Sequence, residues 1–486
     1  MEIPKEIFEI IKKLKKEGYQ AFIVGGCVRD VLRGIKPTDW DIATSAKPEE
    51  IQKIFKKNFY TNRFFTVTVI LETQDPTLKE VEITTFRKES KYSDKRHPDK
   101  VTFAKDIKED LARRDFTINA MALEIENEKN FKLIDPFWGQ KDLEARIIRA
   151  VGDPNERFSE DALRMLRAIR FAVTLDKKGI WKIEKETFKA IKKNAKLINF
   201  ISKERIRDEL IKILESPLAY EGLLLLHQSG LLKEIIPELE KGVGVTQNRH
   251  HIYTVFVHSL LSLKYAAKYG YNLSVRLAAL FHDIAKPEVK RGEGPDATFY
   301  NHDVLGAKFT RNILTRLKFP KNIVDKVSLL VRYHMFFFDP EKVTESAVRR
   351  LLRKVGKENI QELIQLRIAD RKGSGAPKAR PYRLRYFEYL VSKVSRDPIS
   401  PSMLKVNGYD VMEILKIKPG PRVGLILNAL LGEVLDDPKK NEREYLMRRI
   451  EELGKLSDVE LKSLAKEVEE KKMEIELEEK RKFKVK

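Results

Sequence analysis

Apolar residues near the start recur at helical spacing and predict a helix over Lys5–Glu17 that stops at Gly18. A short apolar strand, Ala21–Val24, then runs into Gly25 and Gly26. Apolar segments at Thr66–Leu71, Val81–Phe86 and Phe131–Ile134 predict further strands of one sheet. From about Val151 the pattern turns helical and stays so. The segment SEDALRMLRAIRFAVTL opens with Ser159 as an expected N-cap and carries Ala162, Leu163, Leu166, Ile169 and Ala172 at helical spacing. Low apolar content with two glycines marks a linker at Lys241–Asn248, and a Gly/Ser/Pro/Lys-rich stretch marks a boundary at Lys372–Pro381. From about Pro401, KPGP reads as a turn before an apolar helix starting near Arg422. From about Ser457, Lys and Glu alternate with spaced Leu, Val and Met, as in a solvated amphipathic helix. No repeat of fixed period is present. The fold class expected is α+β, a mixed head over residues 1–150 followed by helical regions over 151–240, 245–375 and 380–486.

Composition narrows the function classes. Lys plus Arg is 95 and Asp plus Glu 73, a net charge of +22, which favours polyanionic partners. No uncharged apolar run is long enough to span a membrane, and the charged N-terminus lacks a signal peptide's apolar core. One cysteine, Cys27, excludes an internal disulfide framework and points to a reducing cytoplasm. Oligomeric state is not encoded in any feature of this kind.

Two groups of residues carry chemistry. In AFIVGGCVRDVLRG, glycines between a strand and a helix let backbone approach a phosphate, with Arg29 in the first helical turn to clamp it. In PTDWDIAT, Asp39 and Asp41 are two apart in an expected strand and share a face, a ligand pair for Mg²⁺. Glu82, in the strand-like VEITTFR, is the candidate third carboxylate. A tight turn and a solvated strand edge are the structural alternatives. Together the groups suggest two-metal nucleotidyl transfer.

The ordered motifs GGCVRD, DWDIAT, RRDFTINAMA, DPFWGQKDL and SEDALRMLRAIRFA resemble the class II tRNA nucleotidyltransferases and the bacterial poly(A) polymerases. The resemblance implies a polymerase-beta-like head, a helical neck and a helical tail that holds tRNA. It implies that Gly25, Gly26 and Arg29 hold an incoming triphosphate, and that Asp39 and Asp41 bind catalytic Mg²⁺. Arg114, Asp115 and Asn119 would contact the nucleotide, Asp115 at the ribose. Asp161 and Arg164 would act as an amino-acid template for ATP or CTP, with Arg167 and Arg170 supporting phosphates or primer. A three-residue helical step makes Asp161 and Arg164 neighbours. The sequence departs from the family at Arg63-Phe64-Phe65-Thr66, where a His-Gly-Thr segment is common, and at Trp138, which replaces a glycine. The loop region Arg87–Asp115 has the full length associated with adding the terminal A. A poly(A) polymerase, and a phosphohydrolase whose head only binds RNA, remain the alternatives.

Six of eight histidines lie between His250 and His334. The order His258, His282-Asp283, His302, His334, Asp370 resembles the HD phosphohydrolase superfamily and implies a divalent metal site. A helical domain without metal is the alternative. His227, His250 and His251 fall outside that pattern and are expected to be structural or RNA-facing.

Overall fold

A computed structural model describes residues 3–61, 65–90, 100–127, 130–176, 179–248, 252–336, 338–395 and 401–485. The chain divides into two compact units, residues 1–332 with 365–375, and residues 333–364 with 376–486.

In the first unit, α1 (Lys5–Lys16) buries Ile7, Ile10, Ile11 and Leu14, the stripe a core-facing helix requires. Gly18, at φ +87°, ends it. The sheet is built from β1 (Ala21–Val24), β2 (Trp40–Thr44), β3 (Asn58–Thr61), β4 (Thr66–Ile70), β5 (Glu80–Thr85), β8 (Ala122–Ile125) and β9 (Phe131–Ile134). A separate hairpin pairs β6 (Arg87–Ser90) with β7 (Lys100–Phe103). The sheet order is β3-β4-β5-β2-β1-β8-β9, with only β2 and β5 parallel. β1 is buried at all four positions, as suits a central strand covered on both faces. Its neighbours include α2 (Gly26–Leu32), α3 (Pro48–Ile54) packs nearer the β3 edge, and α4 (Ile107–Ala112) closes one face over Phe22, Val24, Ala43 and Phe86.

Two elements then differ from the sequence reading. α5 (Gly139–Glu144) follows β9, and the expected helix from Ser159 is two helices, α6 (Pro154–Glu160) and α7 (Leu163–Thr174). Ser159 is therefore inside α6 and is not its cap. Asp153 starts α6 by accepting the Asn155 N–H at 2.8 Å, with Pro154 at the first helical position. Asp161 stops it, because its carboxylate accepts the Leu163 N–H at 3.0 Å in extended backbone.

Beyond α8 (Lys185–Asn194) and α9 (Lys203–Glu215), the first unit continues through helices Val255–Lys268, Leu273–Phe281 and His302–Arg316. The second unit is helical among its described residues. Helices Gly408–Leu415, Pro421–Asp436, Arg443–Leu453 and Asp458–Lys482 close over Val411, Ile426, Leu430, Leu446, Ile450 and Leu461. No helix among the described residues is long and apolar enough to cross a membrane.

Candidate active site

The end of β1 brings the first group together. Gly25 has φ +85°, a conformation L side chains rarely adopt. A Cβ there would lie 2.9 Å from Arg114 Nη1 and 3.1 Å from Asp41 Oδ2. Only glycine lets the turn reach the carboxylate. Register then assembles the acids: Val24 is opposite Asp41, and Asp41 is beside Glu82 on the parallel neighbour. Asp39 lies in the bend one residue before β2, not within the strand as expected, and is exposed. Its charge still reaches both partners. Burial pushes the Asp41 carboxyl up to about 6, opposed by Arg114 and reinforced by Asp39 and Glu82. Desolvation and then Asp39 raise Glu82. Asp39 thus raises both Asp41 and Glu82, and three carboxylates gathered in this way suit a divalent cation.

Under the turn, Cys27 is buried and its thiol donates to the Val24 carbonyl at 3.1 Å. Burial, with Asp41 next in weight, pushes it up to about 12.

The predicted nucleotide contacts form one chain of hydrogen bonds. Arg29 donates to Asp30 at 2.9 Å and to Asn119 Oδ1 at 2.9 Å. Asn119 donates to Asp115 Oδ1 at 3.2 Å, and Arg167 Nε donates to Asp115 Oδ2 at 2.8 Å. Burial alone would raise Asp115, but the Arg167 cation outweighs it and holds the carboxyl down at about 2. Arg170 is drawn aside. Its Nε donates to Glu209 at 2.6 Å and its guanidinium lies 3.9 Å from the Phe171 ring centre. A cavity of about 510 Å³ opens here, with Arg29, Arg33, Arg170 and Phe171 in its wall.

Asp161 and Arg164 are close in sequence but are not presented by a shared helical face. Asp161 sits in the break between α6 and α7 and accepts from Arg205 at 2.8 Å. Arg164 donates to Glu160 at 2.6 Å and to the carbonyls of Arg157 and Arg113 at 3.2 and 3.0 Å. The helical-step argument for this pair does not apply.

The second group converges in the buried interior of the HD-like helices. His258 Nε2 and His282 Nε2 are 2.9 Å apart. Asp283 Oδ2 lies 3.3 and 3.2 Å from them, and Asp370 Oδ1 lies 3.2 and 3.7 Å away. His302 Nε2 is 3.5 Å from Asp283 Oδ1. The Nδ1 atoms of His282 and His302 face the carbonyls of Ala279 and Phe299 at 2.9 and 2.6 Å. Those contacts aim both Nε2 atoms inward, the orientation of metal-ligating imidazoles. His258, His282 and Asp283 each offer a ligand atom within 4.8 Å of the others. Burial would lower His258, but Asp283 and Asp370 raise it to about 9. His334 is buried, directly follows helix Lys321–Tyr333, and belongs to the second unit. His227 faces Glu240 at 2.9 Å and packs on Phe256, a structural position. His250, His251, Arg63, Phe64 and residues 91–99 lie outside the described residues.

Residues 21–149 match the family model of the poly A polymerase head domain, 181–242 that of the probable RNA and SrmB-binding site of polymerase A, and 255–372 that of the HD domain. The chain is 34% identical over 457 residues to the CCA-adding enzyme of Ligilactobacillus salivarius, spanning 92% of this chain and 96% of that one. It belongs to the tRNA nucleotidyltransferase family. The A-adding tRNA nucleotidyltransferase of Deinococcus radiodurans is 33% identical over 451 residues, 89% of this chain and 96% of that one. Among solved structures, the Bacillus stearothermophilus CCA-adding enzyme in complex with CTP superposes with a TM-score of 0.57 at 31% identity, covering 92% and 96% of the two chains. The Thermotoga maritima CCA-adding enzyme complexed with tRNA shares the fold, with a TM-score of 0.53 at 20% identity over 93% and 96%.

Several residues of this nucleotidyltransferase site were not anticipated. Glu209 carried a signal, being a charge on the α9 stripe of Ile206, Leu210 and Ile213, and it is 4% exposed. Glu160 and Arg205 had none, since both look like solvated helix charges. Lys286 bonds Asp283 and Gln247 at 2.7 Å each, and Arg367 bonds Asp370 at 2.6 Å. Arg367 neutralises the Asp370 oxygen turned away from the histidines, whereas Lys286 bonds the same Asp283 oxygen that faces His258 and His282.

Proposed function

We propose that this nucleotidyltransferase extends the 3′ end of tRNA using ATP and CTP, in a cytoplasmic setting that its single cysteine supports. The observation that carries the reading is the meeting of Asp39, Asp41 and Glu82 beside the glycine turn. The head is taken as residues 1–150 and the neck as 151–240. The raised Asp41 carboxyl marks a surplus of negative charge that fits Mg²⁺. Mg²⁺ held by Asp39 and Asp41, with Glu82 alongside, would supply Lewis acidity toward the attacking hydroxyl and charge neutralisation at the leaving group.

The chain's own residues supply the rest. Gly25 and Gly26 let the backbone approach the triphosphate, and Arg29 and Arg114 add positive charge beside it. Asn119 and Asp115 are held rigid by Arg29 and Arg167, so they can meet the nucleotide without reorganising. Asp161 and Arg164 meet the base edge once Arg205 and Glu160 release them. The primer 3′-hydroxyl gives up its proton to solvent as its oxygen bonds the α-phosphorus. The bond from the α-phosphorus to the α,β-bridging oxygen breaks, and pyrophosphate departs with that oxygen.

Three tRNA transcripts ending before CCA, after C and after CC test this, with CTP, ATP or both and products resolved at single-nucleotide length. Extension that stops after the terminal A from the bare end identifies CCA addition. A single A on only the CC-ended transcript identifies A addition. Long A tails identify a poly(A) polymerase, and no incorporation refutes the proposal.

A second activity is favoured by the convergence of His258, His282, Asp283 and Asp370. These residues, with His302, are proposed to hold a divalent metal and hydrolyse a phosphoester, such as a cyclic phosphate at a damaged RNA 3′ end. Release of phosphate or ring opening with added divalent metal, abolished by Asp283→Ala, tests it.

A further inference from the structure

Trp138 stands out from every other large apolar side chain among the described residues of the head. It is 74% exposed, whereas the other two tryptophans, Trp40 and Trp181, are 1% and 3% exposed. It also sits at φ +61°, left-handed backbone that a bulky residue occupies only at a cost. A glycine would occupy that point without strain, and burial does not explain the indole. Some other contact must favour it.

The turn that presents Trp138 is fixed on both sides. Asp135 accepts the N–H groups of Gly139 and Gln140 at 2.7 and 2.9 Å. A Cβ on Gly139 would lie 2.2 Å from the Thr117 carbonyl oxygen, so the turn is pressed against the Thr117–Asn119 segment that carries Asn119. Asp142, 5% exposed, accepts from the Thr117 hydroxyl at 2.7 Å, and its N–H donates to the Trp138 carbonyl at 3.1 Å. Phe137 is anchored in the cluster of Val24, Ala43 and Leu111. The indole is thus held out on a rigid support.

Register sets the place of that support. Val24 pairs with Ala122, and Ala122 with Ile134. The turn after Ile134 therefore leaves the sheet at the same end as the turn after Val24, where Gly25 and the carboxylates lie. Trp138 is outside the Arg29–Asn119–Asp115–Arg167 chain, on the rim, and exposed Lys141 follows it on α5. A small nucleotide enclosed by that chain would not need a solvent-facing ring. A long polyanion running across the rim would. Every nucleobase offers a face for stacking, and a rigid indole gives that contact at low entropic cost.

We propose that Trp138 is a stacking platform for a base of the RNA primer, positioning the 3′ end at the carboxylates. The proposal rests on RNA being the acceptor.

The test uses the full chain and a tRNA transcript ending in CC, with no nucleotide present. The long-wavelength emission of the exposed indole should be quenched on titrating the RNA. Trp138→Phe, which also removes this emission, should keep most of the affinity measured by filter binding. Trp138→Gly should keep or raise the thermal midpoint, because glycine suits φ +61°. Its affinity for the RNA should fall about 5- to 150-fold, the worth of one base–aromatic stack. In incorporation assays the KM for RNA should rise while the KM for ATP stays unchanged. Equal RNA affinity in parent and Trp138→Gly overturns the proposal, as does quenching by ATP or CTP alone. Parent protein that binds RNA with quenching but incorporates nothing would sink the transferase reading and leave the stacking platform standing.

Discussion

Gly25 shows how closely one residue can be specified. At Gly18 and Gly25 alanine would meet a positive φ, +87° and +85°, and Gly25 adds a ψ of −141°, outside the left-handed helical region. Around Gly18 there is open space, while at Gly25 the new Cβ meets Arg114 and Asp41. Gly18→Ala should cost about 1–2 kcal/mol of stability and leave incorporation intact. Gly25→Ala should cost at least as much and reduce incorporation more than tenfold, compared by steady-state kinetics. Asp41 makes a second prediction. Its carboxyl binds a proton more tightly folded, at about 6, than unfolded near 3.8. The stability it contributes is full below about 3.8 and lost as pH rises through about 6. In chelator, Asp41→Asn should match the parent at pH 4 and be more stable by up to about 3 kcal/mol at pH 8. Urea denaturation at the two pH values decides this, and an equal difference at both would refute it. The glycines and aspartates were readable because their chemistry is local. Arg114 and Glu82 were readable as site residues, but their nearness to Asp41 was not. Both are separated from it by long stretches of chain. The β2–β5 register sets Glu82 beside Asp41, and the Gly25 turn has both Arg114 and Asp41 against it.

The break between α6 and α7 carries the clearest lesson among the elements. Apolar spacing alone continues across it, so a single helix from Ser159 was the natural reading. The competing signals were Asp153-Pro154, which starts a helix early, and Asp161, whose carboxylate caps the next. The break frees Asp161 to meet Arg205 from α9. Both groups are part-exposed, so Arg205→Ala should change stability by less than about 1 kcal/mol. Its effect should appear in selection, as a smaller preference for ATP and CTP over GTP and UTP in single-nucleotide addition. Unchanged preference with lost stability would make Arg205 a brace and nothing more. α1, β1 and β9 were legible to within a residue because each has one pattern and one clear stop.

Across the whole molecule, two acidic clusters differ in character, and each is proposed to serve a chemistry of its own. One is partly solvated and ringed by arginines, and the other is buried and rich in imidazole. Asp39→Ala should abolish nucleotide incorporation and leave phosphoester hydrolysis intact, and His282→Ala should do the reverse. Parallel assays on the same preparations check both. The net charge of +22 predicts RNA affinity that falls steeply with salt, as the slope of log affinity against log salt will show. The order of histidines and aspartates made the second cluster visible in the sequence. Lys286, Gln247 and Arg367 were not visible, because their roles exist only once the helices have packed.

Cys27 carries a practical corollary. The chain's only thiol lies beneath the glycine turn, hydrogen-bonded and 1% exposed. Alkylating reagents attack thiolates, and this one stays protonated throughout the working pH range. The native protein is therefore silent toward maleimides and iodoacetamide until it unfolds. A cysteine introduced at a surface position such as Phe200 becomes a unique attachment point for a dye, with no background to remove first.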